Sequence, residues 1–254
     1  MKKTIIAFAA LVVSMTASAG NIFSDLHSTI RVGYSIGGAM PVSMPAEIRS
    51  LDNYKFCSNF TIGFNVEKKF TKRWGLMTGL NLEIKGMDID ATVKNYHINF
   101  VQGGQSMEGQ FTGHNATREY QTQLVLPLTA AFTISQVRIF AGLYGSIVMN
   151  SSFEGYAYDG YIRVREESME AGDPTGKKVM IGNESNTRGN YNFSDDMRRL
   201  QYGVLLGADW NFSRHFGAFV SVTYGIPSIH KSSFKVLDQK LHPMFGTLGM
   251  LYNF

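Results

Sequence analysis

The residues able to do chemistry are scattered along this chain, and their spacing decides what they can do. Gly33-Tyr34-Ser35-Ile36-Gly37 fits the G-x-S-x-G pattern of a nucleophile elbow, which exposes its serine only at a strained strand-to-helix turn. No helical pattern follows Ser35, and alternating small residues along a strand account for the match. The histidines His27, His97, His114, His215, His230 and His242 show no H-x-x-x-H or H-E-x-x-H spacing, so a metal site would have to be assembled from separate loops. Gly172-Asp173-Pro174-Thr175-Gly176-Lys177 falls one residue short of a phosphate-binding loop and lacks the Ser or Thr after its lysine, which leaves turn chemistry. Cys57 is the only cysteine, which excludes an internal disulfide and a Cys-based metal cluster; at an inward strand position it reads as a small apolar filler. These patterns assign no cofactor, metal or catalytic residue.

One set of charged residues does share a pattern. Arg31, Glu67, Glu83, Lys85, Arg138, Arg199 and Asp209 all fall on the polar or small-residue face of alternating segments. Four cations and three carboxylates facing one interior can pair off, and they must, because an unpaired buried charge costs about 3–5 kcal/mol. The expectation is an interior charge network that fills a small barrel and conducts nothing.

The elements that would hold these residues are read from period-2 alternation. Eight segments emerge: 29–40, about 54–68, 73 to about 89, 118–134, 137–150, 198–212, 215–227 and the terminal strand. In the clearest, Leu200, Tyr202, Val204, Leu206, Ala208, Trp210 and Phe212 oppose Arg199, Gln201, Gly203, Gly207, Asp209 and Asn211. Tight turns around Phe70 to Lys72, Ser135-Gln136 and Ser213-Arg214 alternate with long connections at about 41–53, 90–117, 151–197 and 228–241. Short periplasmic turns alternating with long outside loops predict an all-β fold, an eight-stranded antiparallel transmembrane barrel. A further hairpin would fit best at Ile162 to Ile181, but Glu166, Glu167, Glu170 and Asp173 cannot face lipid cheaply, so 151–197 reads as an exposed loop. The runs Val93 to Val101 and Tyr156 to Tyr161 could extend strands three to five past the membrane as protruding hairpins. The long loop is either a ligand-contacting surface or a solvated tether.

Both ends of the chain read as addresses. Lys2 and Lys3, the apolar run Ile5 to Val13 and Ala17-Ser18-Ala19 compose a signal peptide over residues 1–19, cut near Ala19, leaving 20–254 as the barrel domain. Leu248, Met250, Tyr252 and Phe254 share one face of a terminal strand ending in an aromatic, the signal expected to engage the barrel-assembly machinery. Trp74, Trp210, Phe212 and Phe216 lie beside the short turns and form the expected aromatic girdle. After residue 19 no apolar run is long enough for a membrane helix, so crossing must be by strands. The formal charge of +4 drops by two, to +2, on loss of Lys2 and Lys3, and with no basic run nucleic acid is not an expected partner.

Four stretches carry a family likeness: Glu119-Tyr120-Gln121-Thr122-Gln123-Leu124-Val125-Leu126-Pro127-Leu128, the glycine-alternating Ile139 to Ser146, Gln201-Tyr202-Gly203-Val204-Leu205-Leu206-Gly207-Ala208, and the final Tyr-x-Phe. With them the chain resembles the PorT-like outer-membrane β-barrel family, small barrels of OmpX-like architecture, over most of its mature length. The resemblance implies a location in the outer membrane of a Gram-negative bacterium. Its named member is associated with protein secretion and surface motility, but a shared barrel does not by itself transfer a role. The expected function is a non-enzymatic barrel embedded in outer-membrane lipid whose long loops contact a ligand or an envelope or secretion partner. The alternatives are an enzyme acting on lipid or protein at the outer rim, using His97, His114 or His230 with nearby carboxylates, and a narrow channel.

Overall fold

The computed structural model describes residues 26–41, 46–55, 57–164, 176–234, 236 and 240–254. The signal peptide, Phe56, Glu166, Glu167, Glu170 and Asp173 to Thr175 lie outside these. Eleven strands run in chain order: β1 (Leu26–Pro41), β2 (Ile48–Lys55), β3 (Phe60–Lys69), β4 (Trp74–Gln102), β5 (Gln105–Ile134), β6 (Val137–Val164), β7 (Lys177–Ile181), β8 (Gly189–Asn192), β9 (Leu200–Trp210), β10 (Phe216–Gly225) and β11 (Leu241–Asn253).

Eight of them close a ring. β1 pairs β3, β3 pairs β4, β4 pairs β5, β5 pairs β6, β6 pairs β9, β9 pairs β10, β10 pairs β11, and β11 returns antiparallel to β1 through Thr29↔Asn253 to Pro41↔Leu241. Closure leaves no strand edge within the ring, the condition for crossing hydrocarbon with strands. The three short turns fall where alternation placed them, between β3 and β4, β5 and β6, and β9 and β10. Aliphatic residues cover the outer wall, with Leu126, Leu143, Leu206 and Leu248 exposed, while Thr29, Arg31, Ser35, Glu67, Gln123, Arg138 and Asp209 are buried inside.

Three of the long connections are more structured than loops. β4 and β5 continue unbroken to a turn at Gly103-Gly104, and β6 runs on to Val164. β2 pairs β4 beside Asp88 to Val93, β7 pairs the end of β6, and β8 bridges β6 to the tip of β4 at Val101. The described residues of 41–53, 90–117 and 151–197, joined by Met87 from β4 and Ile229 from the fourth connection, thus build a folded head above the ring, with a core of Met87, Val93, Ile98, Phe100, Phe111, Phe153, Ile162, Tyr191, Phe193 and Ile229. β6 and β7 pair antiparallel from Gly160↔Ile181 to Val164↔Lys177, and this pairing joins the head and adds nothing to the ring.

Bulges mark the passage from ring to head. β5 and β6 lose register between Thr122 and Gln123, where Val148 and Asn150 flank an extra residue, Met149. Inward positions on β6 are even below this point (Arg138, Phe140, Ser146) and odd above it (Phe153, Ala157), the face switch an inserted residue produces. Two further irregularities, at Val93/Tyr96 and Thr112/His114, coincide with the left-handed residues Asn95 and Asp159. Ile98 on β4 and Ile162 on β6 are turned inward by those switches.

Candidate functional site

Inside the ring, Asp209 on β9 is fully buried and receives both Arg31 of β1, at 2.7 Å, and Arg138 of β6, at 2.6 Å. Arg138 also reaches Glu67 of β3 at 2.6 Å, so two guanidinia and two carboxylates form one neutral group. The Arg31 guanidinium lies 4.7 Å from the Phe140 ring centre and 5.4 Å from that of Phe219, a weaker favourable contact of the cation–π kind. Glu83 pairs with Lys85, whose ammonium sits 5.0 Å from the Phe245 ring. Above them Gln121, Gln201 and Glu119 form a hydrogen-bonded tier, with Gln201 donating to Gln121 at 2.8 Å. One cavity within the lumen, beside Arg31, Met77, Glu83 and Phe140, holds about 30 Å³, the room of a single water.

Six of the seven expected interior charges are therefore buried in the lumen. Arg199 is not: it has inward parity but lies one residue before β9 begins, and its side chain is exposed. Glu119, which the alternation through Gln121 and Gln123 also turns inward, belongs to the interior and was not in the expected set. Cys57 corrects a second expectation. It lies in the connection before β3, half-buried and off any strand, with burial raising its thiol pKa. Ser35 is buried on β1 against the hydroxyls of Thr247 (2.8 Å) and Thr61 (3.4 Å), with no elbow.

Trp74, Trp210, Phe212, Phe216, Tyr252 and Phe254, near the short turns, are exposed on the outer wall, and the aromatics there touch in pairs: Trp74 with the half-buried Phe132 at 4.7 Å, Trp210 with Phe212 at 5.7 Å, Phe216 with Tyr252 at 5.3 Å and Tyr252 with Phe254 at 5.2 Å. Leu248 and Met250 share that exposed face of β11.

Two cavities lie among the described residues of the head. One, of about 410 Å³, is lined almost wholly by apolar groups, among them Ile36, Met40, Leu51, Met87, Ala91 and Val93. The other is a cleft of about 760 Å³ bordered by Lys55, Arg118 and Arg188 and by Asp88, Asp90 and Glu154. Tyr191 borders both; its hydroxyl contacts that of Thr117 at 2.7 Å and donates to Asn115 Oδ1 at 3.1 Å, while burial pushes its pKa up to about 12.

The three histidines a rim enzyme would use are apart in kind. His97 lies 3.4 Å from Glu108, and His114 Nδ1 lies 3.4 Å from Asp52 and 3.3 Å from the Thr92 hydroxyl. A relay of the triad type needs the carboxylate and the nucleophile on opposite ring nitrogens, whereas here both address Nδ1. His230 is buried between Phe153 and Phe234, with centroids at 4.8 and 4.5 Å, and burial lowers its pKa to about 4.

A family model described as the outer membrane protein beta-barrel domain matches residues 16–231. No curated protein matches the chain. Among solved structures, the attachment invasion locus protein Ail of Yersinia pestis aligns at 13% identity and TM-score 0.37, over 91% of this chain and 99% of that one. The outer membrane protein OprG of Pseudomonas aeruginosa aligns at 15% identity and TM-score 0.34, over 90% and 95%. Neisserial surface protein A aligns at 8% identity and TM-score 0.32, over 91% and 98%.

Proposed function

Because the chain belongs to the outer membrane protein beta-barrel family, we propose that it is a non-enzymatic surface receptor, a closed barrel that displays its head outside the cell to bind an apolar or amphipathic small molecule. The observation that carries this reading is the 410 Å³ apolar pocket in the head, within the size range of small-molecule sites and reached from the surface past the exposed Ile36, Met40 and Leu51. The lumen below supports it, since a barrel filled by paired charges and a 30 Å³ void leaves binding at the head as the use of the molecule. A signal peptide cut near Ala19, an assembly signal ending at Phe254 and an aromatic girdle through Trp74, Trp210, Phe212 and Phe216 complete the proposal for how it reaches and sits in the membrane. Contact with an envelope or secretion partner, the role the PorT-like resemblance implies, would use the charged cleft instead.

The test is titration of a fluorescent fatty acid onto the purified protein in nanodiscs, beside planar-bilayer recordings. The expected result is saturable binding that Ala91→Phe, which fills the cavity, weakens at least about tenfold, with no unit conductance from either protein. Binding unchanged by Ala91→Phe in a head that stays protease-resistant, or a stable unit conductance, would overturn the reading.

A further inference from the structure

We propose that Asp52, Asp90 and His114 form a binding site for a divalent first-row transition ion, with Zn²⁺ as the probe, on the outer face of the head. The three come from different strands. β2 lies against β4 with Asn53 opposite Asp90, and β4 against β5 with Thr92 opposite His114. One ligand atom from each residue falls within 4.8 Å of the other two, a spacing a single ion can bridge with small side-chain shifts. One imidazole and two carboxylates suit Zn²⁺, Mn²⁺ or Ni²⁺ better than the all-oxygen shells that Ca²⁺ and Mg²⁺ take, and two negative charges balance a dication.

A second observation is a free acceptor on Asp90. Asp90 Oδ2 accepts a hydrogen bond from Tyr158, but Asp90 Oδ1 is buried and has no hydrogen-bond partner among the described residues. A carboxylate oxygen withdrawn from water with nothing to receive is costly, and an ion beside it removes that cost. The surroundings are built as metal sites are. Tyr158 holds Asp90 and stacks on His114 at 5.3 Å, and Thr92 donates to Asp52 at 2.6 Å, so two of the ligands are already oriented by neighbours that do not themselves coordinate. His114 and Asp52 are each more than a third exposed, which leaves an entry path and room for water in the open positions.

The site has a structural consequence. Among the described residues β2 is paired on one side only, to β4 and across two register shifts, so an ion shared by Asp52, Asp90 and His114 would clamp it to the β4–β5 hairpin.

The experiment is calorimetric titration of the untagged, metal-stripped protein in detergent with Zn²⁺, with millimolar Ca²⁺ in the buffer to occupy non-specific acidic sites. Limited proteolysis of the head is followed in parallel. The expected result is one Zn²⁺ per chain, weakened at least about tenfold by Asp90→Asn and by His114→Asn, abolished by both together, and accompanied by slower cleavage at β2. Gel mobility of the folded barrel confirms that each variant is intact. No stoichiometric binding, equal binding by the double variant, or binding that millimolar Ca²⁺ removes would each overturn the site and leave an ordinary Asp52–His114 ion pair. The outcome is independent of the apolar cavity.

Discussion

Asp209→Asn tests the lumen network most directly. The exchange keeps the shape of the side chain and removes one charge, so the group of Arg31, Arg138, Glu67 and Asp209 goes from neutral to +1. Arg31 then has no carboxylate within ion-pair distance among the described residues, because its one bridge is to Asp209. Arg138 keeps Glu67 at 2.6 Å. Breaking a buried pair by removing one partner costs about 3–5 kcal/mol, a loss of roughly two to three and a half decades in the folded-to-unfolded ratio. Glu67→Gln is the control: it leaves Arg138 bound to Asp209, and the expected loss is less than about half as large. Arg31→Met combined with Asp209→Asn restores neutrality, and the double variant is expected to regain at least about 2 kcal/mol over Asp209→Asn alone. The assay is urea unfolding and refolding in lipid vesicles, followed by the fluorescence of Trp74 and Trp210, the only two tryptophans, and by the mobility of the unheated protein in gels. If Asp209→Asn lies within about 1 kcal/mol of the wild type, or is no worse than Glu67→Gln, or is not rescued by Arg31→Met, the network does not hold the barrel as argued.

The other predictions concern packing and the head. At the seam where Gly33 faces Gly249, a Cβ on Gly249 would meet Phe219 Cε1 at 2.6 Å and the backbone of Val32, so Gly249→Val is expected to cost about 1–3 kcal/mol and slow barrel closure in refolding gels. Tyr191→Phe removes a hydroxyl bonded to Thr117, Asn115 and the Ala116 carbonyl, and should loosen the head by about 1–3 kcal/mol, seen as faster proteolysis there with urea unfolding of the barrel unchanged. His230 has a folded pKa of about 4, below its ordinary 6.5, so protonation favours the unfolded head: its effect is absent above about pH 6.5, and roughly 3 kcal/mol is lost as pH falls to 4 and below. His230→Phe should flatten that part of the pH profile of head proteolysis, and an unchanged profile would show that another group controls it.

The ring was legible in the sequence because lipid enforces one rule on it: nearly every second residue is apolar, and exceptions such as Thr78 satisfy their polar group on the neighbouring strand. That rule placed Arg31, Glu67, Glu83, Lys85, Arg138 and Asp209 indoors and the short turns within a residue or two. It failed for Arg199 through depth and not parity, since alternation does not say where a strand begins. It gave little in the head, where water wets part of each face and the inserted residues at Met149, Asn95 and Asp159 reverse the alternation. β2 reads Ile-Arg-Ser-Leu-Asp-Asn-Tyr-Lys, too polar and short to announce a strand, and it forms against β4. The Asp52, Asp90 and His114 cluster left no local spacing to find, because strand register alone brings those residues together.

The unbroken run of β4, β5 and β6 from membrane to tip has a mechanical consequence. Tension applied to the head along these strands would load their antiparallel bonds in shear, many at once, with nothing between head and barrel that could unzip one bond at a time. The bulges at Met149, Asn95 and Asp159 are the compliant points along that path. Force reaching the head would pass to the barrel through a stiff post.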